Sequence, residues 1–150
     1  MQKTKNKVAF VAMVVLIALS MLLSACGDGD AKAKLLKSDE QLIVIEAIAT
    51  GGSLEDALKK LKSDGKIVYE SSTSEYGAFL NSINGYVPDA SKNEFCAIYT
   101  TLGVYEGVSY SSAEFGVYEY EDKACASASY GISGIPLVEG EIYILTISTY

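Results

Sequence analysis

The stretch that decides the fold is GGSLEDALKKLKSDG, residues 51–65. Ser53 suits the N-cap of a helix, and the acid Asp56 stands three residues later, a pattern close to a capping box. Acids then give way to lysines, which is the order that the helix dipole favours, and Gly65 supplies a stop signal. Apolar residues recur at the i, i+3, i+4 and i+7 positions of one helical face, at Leu54, Ala57, Leu58 and Leu61. The segment therefore predicts an amphipathic helix, the main helix of the mature chain.

Sequence typical of β-strands lies on both sides of this helix. Residues 42–49 are largely apolar and begin with β-branched side chains, which predicts a strand, although periodicity alone also permits a buried helix. After the helix, short runs of β-type sequence alternate with turn residues such as Asn84-Gly85. These runs are residues 66–70, 78–83, 95–101, 115–120, 124–129 and 142–148. One early helix followed by many strands predicts the α+β class.

The charge pattern excludes nucleic-acid binding and argues against catalysis. From Cys26 onward the chain has 9 lysines and 19 acids, a formal charge of −10, whereas a nucleic-acid-binding protein needs a basic face. The sequence has no His, the side chain most often used as a general base or zinc ligand, and no EF-hand loop. Hydrolysis by paired carboxylates stays open as an alternative. The acids that come closest to a suitable cluster in the sequence are Glu114, Glu119, Glu121 and Asp122. Because exposed acids are expected at the hairpin turn predicted there, we expect a non-catalytic protein without metal or cofactor.

The first 25 residues have the organisation of a secretory signal. Three lysines precede an apolar stretch over residues 8–23, and small residues follow it. A permanent membrane helix over residues 8–25 is the alternative, but no Lys or aromatic anchor closes its far end. Leu23-Ser24-Ala25-Cys26 resembles the lipobox of bacterial lipoproteins. The resemblance implies cleavage before Cys26 and a thioether-linked diacylglycerol on its sulfur, with fatty acyl chains such as palmitate.

This arrangement divides the chain into three segments. Residues 1–25 are predicted as a lipoprotein signal peptide, residues 26–40 as the lipidated Cys with a flexible tether, and residues 41–150 as one folded domain. The tether is polar and rich in small residues, and its expected reach of roughly 20 Å would lift the domain clear of the lipid headgroups. We therefore expect the domain at the extracellular face of the bacterial cell membrane.

An ordered series of short motifs runs through the domain: SLEDAL (53–58), SEYGAFLNSING (74–85), FCAIY (95–99), SASYG (127–131) and VEGEIY (138–143). The series resembles the small β-rich domain that ends transcobalamin and intrinsic factor and that recurs in bacterial surface lipoproteins. The resemblance spans about residues 41–150 and implies a β-grasp-like mixed sheet packed on one main helix. In that family the domain closes over a corrinoid together with a helical barrel, which this sequence lacks. Family members also commonly have Trp where Cys96 stands here.

Tyrosine is unusually frequent, with 11 residues in the chain. Most of them are expected to pack across strands, because strands favour aromatic side chains. Tyr105 and Tyr110 are different, because they stand in a stretch rich in Gly and Ser, a mixture suited to binding. Together with Phe95 and Tyr99 on the preceding strand, they are the predicted ligand-contact surface.

Cys96 and Cys125 are the cysteines that remain after lipidation of Cys26. Two thiols in a secreted domain suggest a disulfide, which would require their strands to lie close together. The alternative is two small, buried, apolar thiols. The sequence leaves both alternatives open.

Together these patterns predict a membrane-anchored extracellular lipoprotein with a non-catalytic ligand-binding domain. Its ligand would be a corrinoid or a glycan, held together with a partner protein of the envelope. The alternative is a surface adhesion or assembly module with no small-molecule ligand.

Overall fold

The computed structural model describes residues 32–150, and strands dominate that part of the chain. Strands make up 54% of it and helices 11%. The elements in chain order are β1 (Ala33–Asp39), β2 (Leu42–Ala47), α1 (Leu54–Ser63), β3 (Tyr69–Ser74), β4 (Gly77–Ile83), a short 3-10 helix (Ala90–Lys92), β5 (Glu94–Thr100), β6 (Val104–Tyr105), β7 (Val108–Ser109), β8 (Ser111–Tyr120), β9 (Lys123–Ala128) and β10 (Ile142–Thr149). The predicted signal peptide and Cys26 lie outside the described residues.

The α+β class expected from the sequence is wrong, because the fold is mostly β. Six strands form one sheet in the order β1-β2-β10-β5-β9-β8, and every pair in it is antiparallel. Two further antiparallel pairs, β3–β4 and β6–β7, stand apart from this sheet. The expected β-grasp-like mixed sheet packed on one main helix is therefore corrected to an antiparallel sheet that, within residues 32–150, is accompanied by one α-helix of ten residues. Five of the six strands of this sheet overlap runs predicted from the sequence and β1 does not, and the pairing directions depend on contacts between distant segments.

Residues 33–39, expected to belong to the flexible tether of residues 26–40, form an edge strand instead. β1 pairs with β2 from Ala33 opposite Ala47 to Asp39 opposite Leu42. A bulge between Leu35 and Lys37 inserts one extra residue into β1. The backbone hydrogen bonds of the β1–β2 hairpin therefore order this segment despite its polar composition. The preceding residues 26–31 lie outside the described part of the chain.

The predicted helix is confirmed together with its cap. The Asp56 amide donates to Ser53 Oγ at 3.2 Å, and the Ser53 amide donates to Asp56 Oδ2 at 2.8 Å, which completes a capping box. These hydrogen bonds, with that of the Ser53 backbone contributing most, lower the pKa of the Asp56 carboxyl. The four apolar residues of the predicted face are all buried.

The large sheet buries side chains on both of its faces. Neighbouring residues of a strand point to opposite faces, and in β2 Ile43 and Ile45 belong to one cluster whereas Leu42 and Val44 belong to another. The first cluster is covered by α1, by the β3–β4 hairpin and by the segment 132–137. The second cluster consists of Leu42, Val44, Ala97, Tyr99, Cys125, Ile142 and Ile144. Burial on both faces explains why residues 42–45 of β2 are all apolar.

The two edge strands of the sheet, β1 and β8, cover part of the second cluster because the sheet is curved. Leu36 of β1 packs against this cluster, and so do Tyr118 and Tyr120 of β8, although β1 and β8 are the two ends of the strand order. The two edges therefore curl toward the same side and partly enclose the cluster. β8 also loops out over residues 113–116, where the register with β9 is interrupted. Residues 32–150 contain no helix long and apolar enough to cross a membrane.

Candidate functional site

A cavity of about 310 Å³ lies where the two curled edges of the sheet approach each other. We call it the sheet-end cavity. β1 and β2 form one side, β10 contributes to its apolar surface, and the β8–β9 hairpin forms the other side. Its lining residues are Leu36, Glu46, Tyr120, Glu121, Lys123 and Ile142. The volume is at the lower end of the roughly 300–1,000 Å³ range of small-molecule sites.

Strand register positions the residues of this cavity. Glu46 of β2 stands opposite Ile142 of β10, and Tyr120 of β8 stands opposite Lys123 of β9. Glu121 follows in the turn that joins β8 to β9. The sheet-end cavity thus combines an apolar surface, one aromatic ring, two carboxylates and one ammonium group.

The charged side chains of the cavity are Glu46, Glu121 and Lys123. Within residues 32–150, none of them makes a side-chain hydrogen bond or an ion pair. Carboxylates accept hydrogen bonds from hydroxyl groups, and an ammonium donates to oxygen. The arrangement can therefore bind a polar ligand through its hydroxyls while an apolar part of that ligand contacts Tyr120 or Ile142.

A second concave surface follows the side of β5 that faces β9. We call this the edge groove. It has a volume of about 140 Å³ and is lined by Phe79, Phe95, Cys96, Ala97, Ile98, Ser127, Ala128 and Tyr130. Its three aromatic side chains are partly open to solvent, with exposed fractions of 41% for Phe79, 39% for Phe95 and 43% for Tyr130. An aromatic surface of this kind suits recognition of another molecule.

The structure does not bring the predicted contact residues Phe95, Tyr99, Tyr105 and Tyr110 to one surface. Phe95 lines the edge groove, and its ring lies 5.9 Å from that of Tyr150. Tyr99 is only 8% exposed and belongs to the second core cluster. Tyr105 and Tyr110 pack against the first cluster, on the opposite face. The two tyrosines of the Gly- and Ser-rich stretch are therefore partly buried against the core, on the face of the sheet opposite to Tyr99.

Neither Cys96 nor Cys125 forms a disulfide. Cys96 packs against the first cluster, whereas Cys125 is buried in the second. Burial raises the pKa of the Cys96 thiol to about 11. The pKa of Cys125 is also raised, first by burial and then by the negative charge of Glu119. Of the two alternatives that the sequence left open, the structure has two unpaired thiols.

The acids considered for hydrolysis are dispersed. Glu119 stands opposite Ala124 within the β8–β9 pair, and Glu114 lies in the looped-out part of β8. Only Glu121 reaches the sheet-end cavity, and the second acid there is Glu46. Sequence reasoning missed Glu46, although a lone acid inside the apolar run of residues 42–49 was a usable signal. No group of three His, Cys, Asp or Glu side chains within residues 32–150 could hold a metal ion.

No protein-family model matches the chain, and no curated protein matches it either. The resemblance to the terminal domain of transcobalamin therefore stays a prediction. Function has to be inferred from the geometry of the two concave surfaces and from the N-terminal sequence.

Proposed function

We propose that the protein is a lipoprotein anchored through Cys26 at the extracellular face of a bacterial cell membrane, and that its domain binds a glycan without chemically changing it. The basic start, the apolar stretch and the lipobox-like Leu23-Ser24-Ala25-Cys26 support the anchor. Two or more acyl chains would hold the protein stably, since each buried methylene contributes about 0.8 kcal/mol.

The sheet-end cavity is the observation that carries the binding function. Tyr120 lines the cavity, and its ring would stack against the apolar side of a sugar ring. The carboxylates of Glu46 and Glu121 are free to accept hydrogen bonds from ring hydroxyls, and Lys123 is free to donate to a ring or carbonyl oxygen. Flat apolar and hydroxyl-bearing surfaces occur together on a sugar, which makes this class of ligand the best fit.

The size of the cavity supports a glycan over a corrinoid, the two ligand classes that the sequence suggested. Good small-molecule sites bury 70–90% of their ligand, and about 310 Å³ accommodates one sugar unit. A corrinoid is far larger and would leave most of its surface outside the cavity. It would need a partner protein to cover the remainder, whereas the terminal unit of a glycan would not.

We assign Glu46 and Glu121 to ligand binding and not to bond cleavage. The sequence has no His that could serve as a proton carrier beside them. A pair of carboxylates can nevertheless hydrolyse a glycoside at a suitable separation, so the assignment needs a direct test. Prolonged incubation with a bound glycan, followed by chromatographic sizing, is expected to return it intact, and the appearance of shorter products would contradict the non-catalytic assignment.

Calorimetric titration of the full chain in detergent micelles tests the binding function. The probes are maltotriose, cellotriose, the trimer of N-acetylglucosamine, and cyanocobalamin. We expect saturable binding of at least one trisaccharide, and a loss of about tenfold in affinity for Tyr120→Ala, because ring stacking contributes on the order of 1 kcal/mol. Glu121→Gln is expected to weaken binding as well.

Two matched variants control for nonspecific effects. Glu114→Gln removes one charge from the same strand as Tyr120, and Tyr76→Ala removes a tyrosine that is 75% exposed and does not line the sheet-end cavity. Both should leave trisaccharide affinity unchanged. Flat titrations with every trisaccharide, or equal losses in the control variants, would contradict the proposal.

The edge groove favours the alternative, an adhesion or assembly module without a small ligand. Its partly exposed aromatic side chains suit a protein partner better than a small polar molecule. Recovery of one stoichiometric envelope protein with the full chain, combined with flat glycan titrations, would support this alternative. Glycan binding that depends on Tyr120 would contradict this alternative, because the protein would then have a small-molecule ligand.

A further inference from the structure

The strand β5 has a free edge in the middle of the six-stranded sheet. On one side β5 pairs with β10 along its whole length, from Glu94 opposite Thr149 to Thr100 opposite Tyr143. On the other side it pairs with β9 only at Tyr99 and Thr100. Within residues 32–150, the segment 94–98 therefore has no paired strand on the β9 side, although the Glu94 amide already donates to the Asp89 carbonyl at 3.2 Å. This free edge forms the floor of the edge groove.

The hydrogen-bonding direction along β5 follows from its register with β10. The Thr101 amide donates to the Ile142 carbonyl at 3.1 Å, and these two residues continue the β5–β10 register by one position. In an antiparallel pair, hydrogen-bonded positions alternate with non-hydrogen-bonded ones. The backbone N–H and C=O groups that point to β10 are therefore those of Phe95, Ala97 and Tyr99. Cys96 directs its backbone groups to the free side. Ile98 directs its backbone groups to the same side, where Ala128 ends β9 one position beyond the Tyr99–Ser127 pair.

This edge lacks the features by which proteins usually protect a free strand. β1 carries a bulge and two lysines, and β8 carries a four-residue excursion and two acids. Bulges and charged side chains of this kind discourage the addition of another strand. Residues 95–98 are Phe-Cys-Ala-Ile, without charge, Pro or register shift. Among the edges of the six-stranded sheet, the free edge of β5 is thus the one best suited to accept a further strand.

The walls of the edge groove would contact the side chains of an added strand. The Phe95 side chain lies on the same face of the sheet as the second cluster. Neighbouring residues of a strand point to opposite faces, and the next residue, Cys96, packs against the first cluster. Phe79 belongs to the β3–β4 hairpin, which covers the other face, and Tyr130 packs on Tyr110 with ring centroids 5.5 Å apart. Apolar side chains on both faces of an added strand would therefore find aromatic contacts.

Charge restricts the kind of strand that would bind. The residues that line the edge groove are uncharged, and residues 32–150 as a whole contain 17 acids and nine lysines, a formal charge of −8. A second copy of this chain would bring the same negative charge to the edge. A basic segment would be attracted to it, and the attraction would also speed association.

We propose that the free edge of β5 accepts an extended, lysine-bearing segment of a partner protein by strand addition. Backbone hydrogen bonds to Cys96 and Ile98 would supply affinity, and contacts with Phe79, Phe95 and Tyr130 would select the side chains. This site is separate from the sheet-end cavity, and it concerns a different class of partner from the proposed glycan.

N-methylated peptides test the proposal, with the full chain in detergent micelles. The probes are octapeptides in which Lys or Thr alternates with Val, Ile or Tyr, each also made with N-methyl groups on either alternate set of residues. A strand donates to a given edge through alternate amides only, so one methylated form should lose at least about tenfold in affinity while the other keeps it. Equal affinity of both methylated forms, or no binding by any unmethylated peptide, would overturn the proposal.

Variants and hydrogen exchange locate the binding site. Phe95→Lys and Phe79→Lys place a positive charge on the groove walls and should each weaken peptide binding at least about tenfold, since a lysine-bearing strand is then repelled. Phe115→Lys is the matched control, because Phe115 is 75% exposed and does not line the groove. Peptide binding should slow amide exchange at Cys96 and Ile98. Protection confined to β1 or β8, or dimerisation of the chain in place of peptide binding, would refute the assignment.

Glycan titration of Phe95→Lys separates the two proposals. Because Phe95 does not line the sheet-end cavity, this variant should keep trisaccharide affinity while it loses peptide affinity. Loss of both would indicate misfolding, which far-UV circular dichroism detects, and Phe79→Lys then provides the independent test of the groove.

Discussion

Cys96 and Cys125 lie on neighbouring strands of one sheet but on its opposite faces. A disulfide requires Cβ atoms roughly 3.5–4.5 Å apart and suitably directed, which two residues on opposite faces do not provide. We therefore expect mild oxidation of the native protein to leave both thiols free. Alkylation followed by peptide mapping checks this, and a peptide pair joined through these two residues would contradict it.

Burial of ionisable groups predicts a loss of stability at alkaline pH. It raises the pKa of Cys96 from 9.0 to about 11 and that of Tyr143 from 10.0 to about 12. Because the unfolded chain ionises these groups at lower pH, their contribution to the free energy of unfolding is complete below about pH 9 and is lost as pH rises toward the folded pKa values. Urea unfolding at about pH 7, 9 and 10.5 should show this decrease. Cys96→Ala should make it shallower, and a constant free energy of unfolding across this range would refute the prediction.

The buried hydroxyl of Tyr143 is predicted to stabilise the turn before β10. It donates to the Pro136 carbonyl at 2.8 Å and accepts from the Val138 amide at 3.0 Å. Tyr143→Phe leaves both backbone groups without this partner, which should lower the free energy of unfolding by about 1–3 kcal/mol. Urea denaturation measures the change. Tyr76→Phe, at an exposed position, should change stability by less than about 0.5 kcal/mol, and equal effects of the two variants would contradict the role of the hydroxyl.

The helix cap provides a second stability test. Ser53→Ala removes the acceptor for the Asp56 amide and should destabilise the domain by about 1 kcal/mol. Ser53→Thr keeps the hydroxyl that accepts from the Asp56 amide and donates to Asp56 Oδ2, and it should recover most of that loss. Thermal or urea unfolding of the three proteins distinguishes them. If the Ala and Thr variants were equally stable, the cap would not be contributing as described.

The sequence was sufficient to predict elements that depend on local interactions. The helix after Ser53 was predictable because its cap, its apolar spacing and its stop signal all lie within residues 51–65. The Asn84-Gly85 turn was predictable for the same reason, since both residues adopt positive φ angles. β1 was not predictable, because the segment Ala33–Asp39 becomes a strand only through its pairing with β2.

The candidate sites depend on long-range contacts that no local pattern reveals. Leu36 and Tyr120 line one cavity only because the two ends of the sheet curl together. Phe95 and Tyr110, grouped by their chemistry, separate onto opposite faces once the strand register is fixed. Glu46 was the one cavity residue with a local signal, as an acid within an apolar strand.

Lipid attachment at Cys26 is the claim on which the proposed location and role depend, and mass spectrometry of the chain recovered from the membrane fraction tests it directly. We expect a mature chain that begins at Cys26 and carries a diacylglycerol on that residue, and a Cys26→Ala variant that is neither cleaved before residue 26 nor acylated. An unmodified Cys26 in the membrane-derived chain, or a Cys26→Ala variant processed and fractionated like the original, would contradict the lipoprotein assignment.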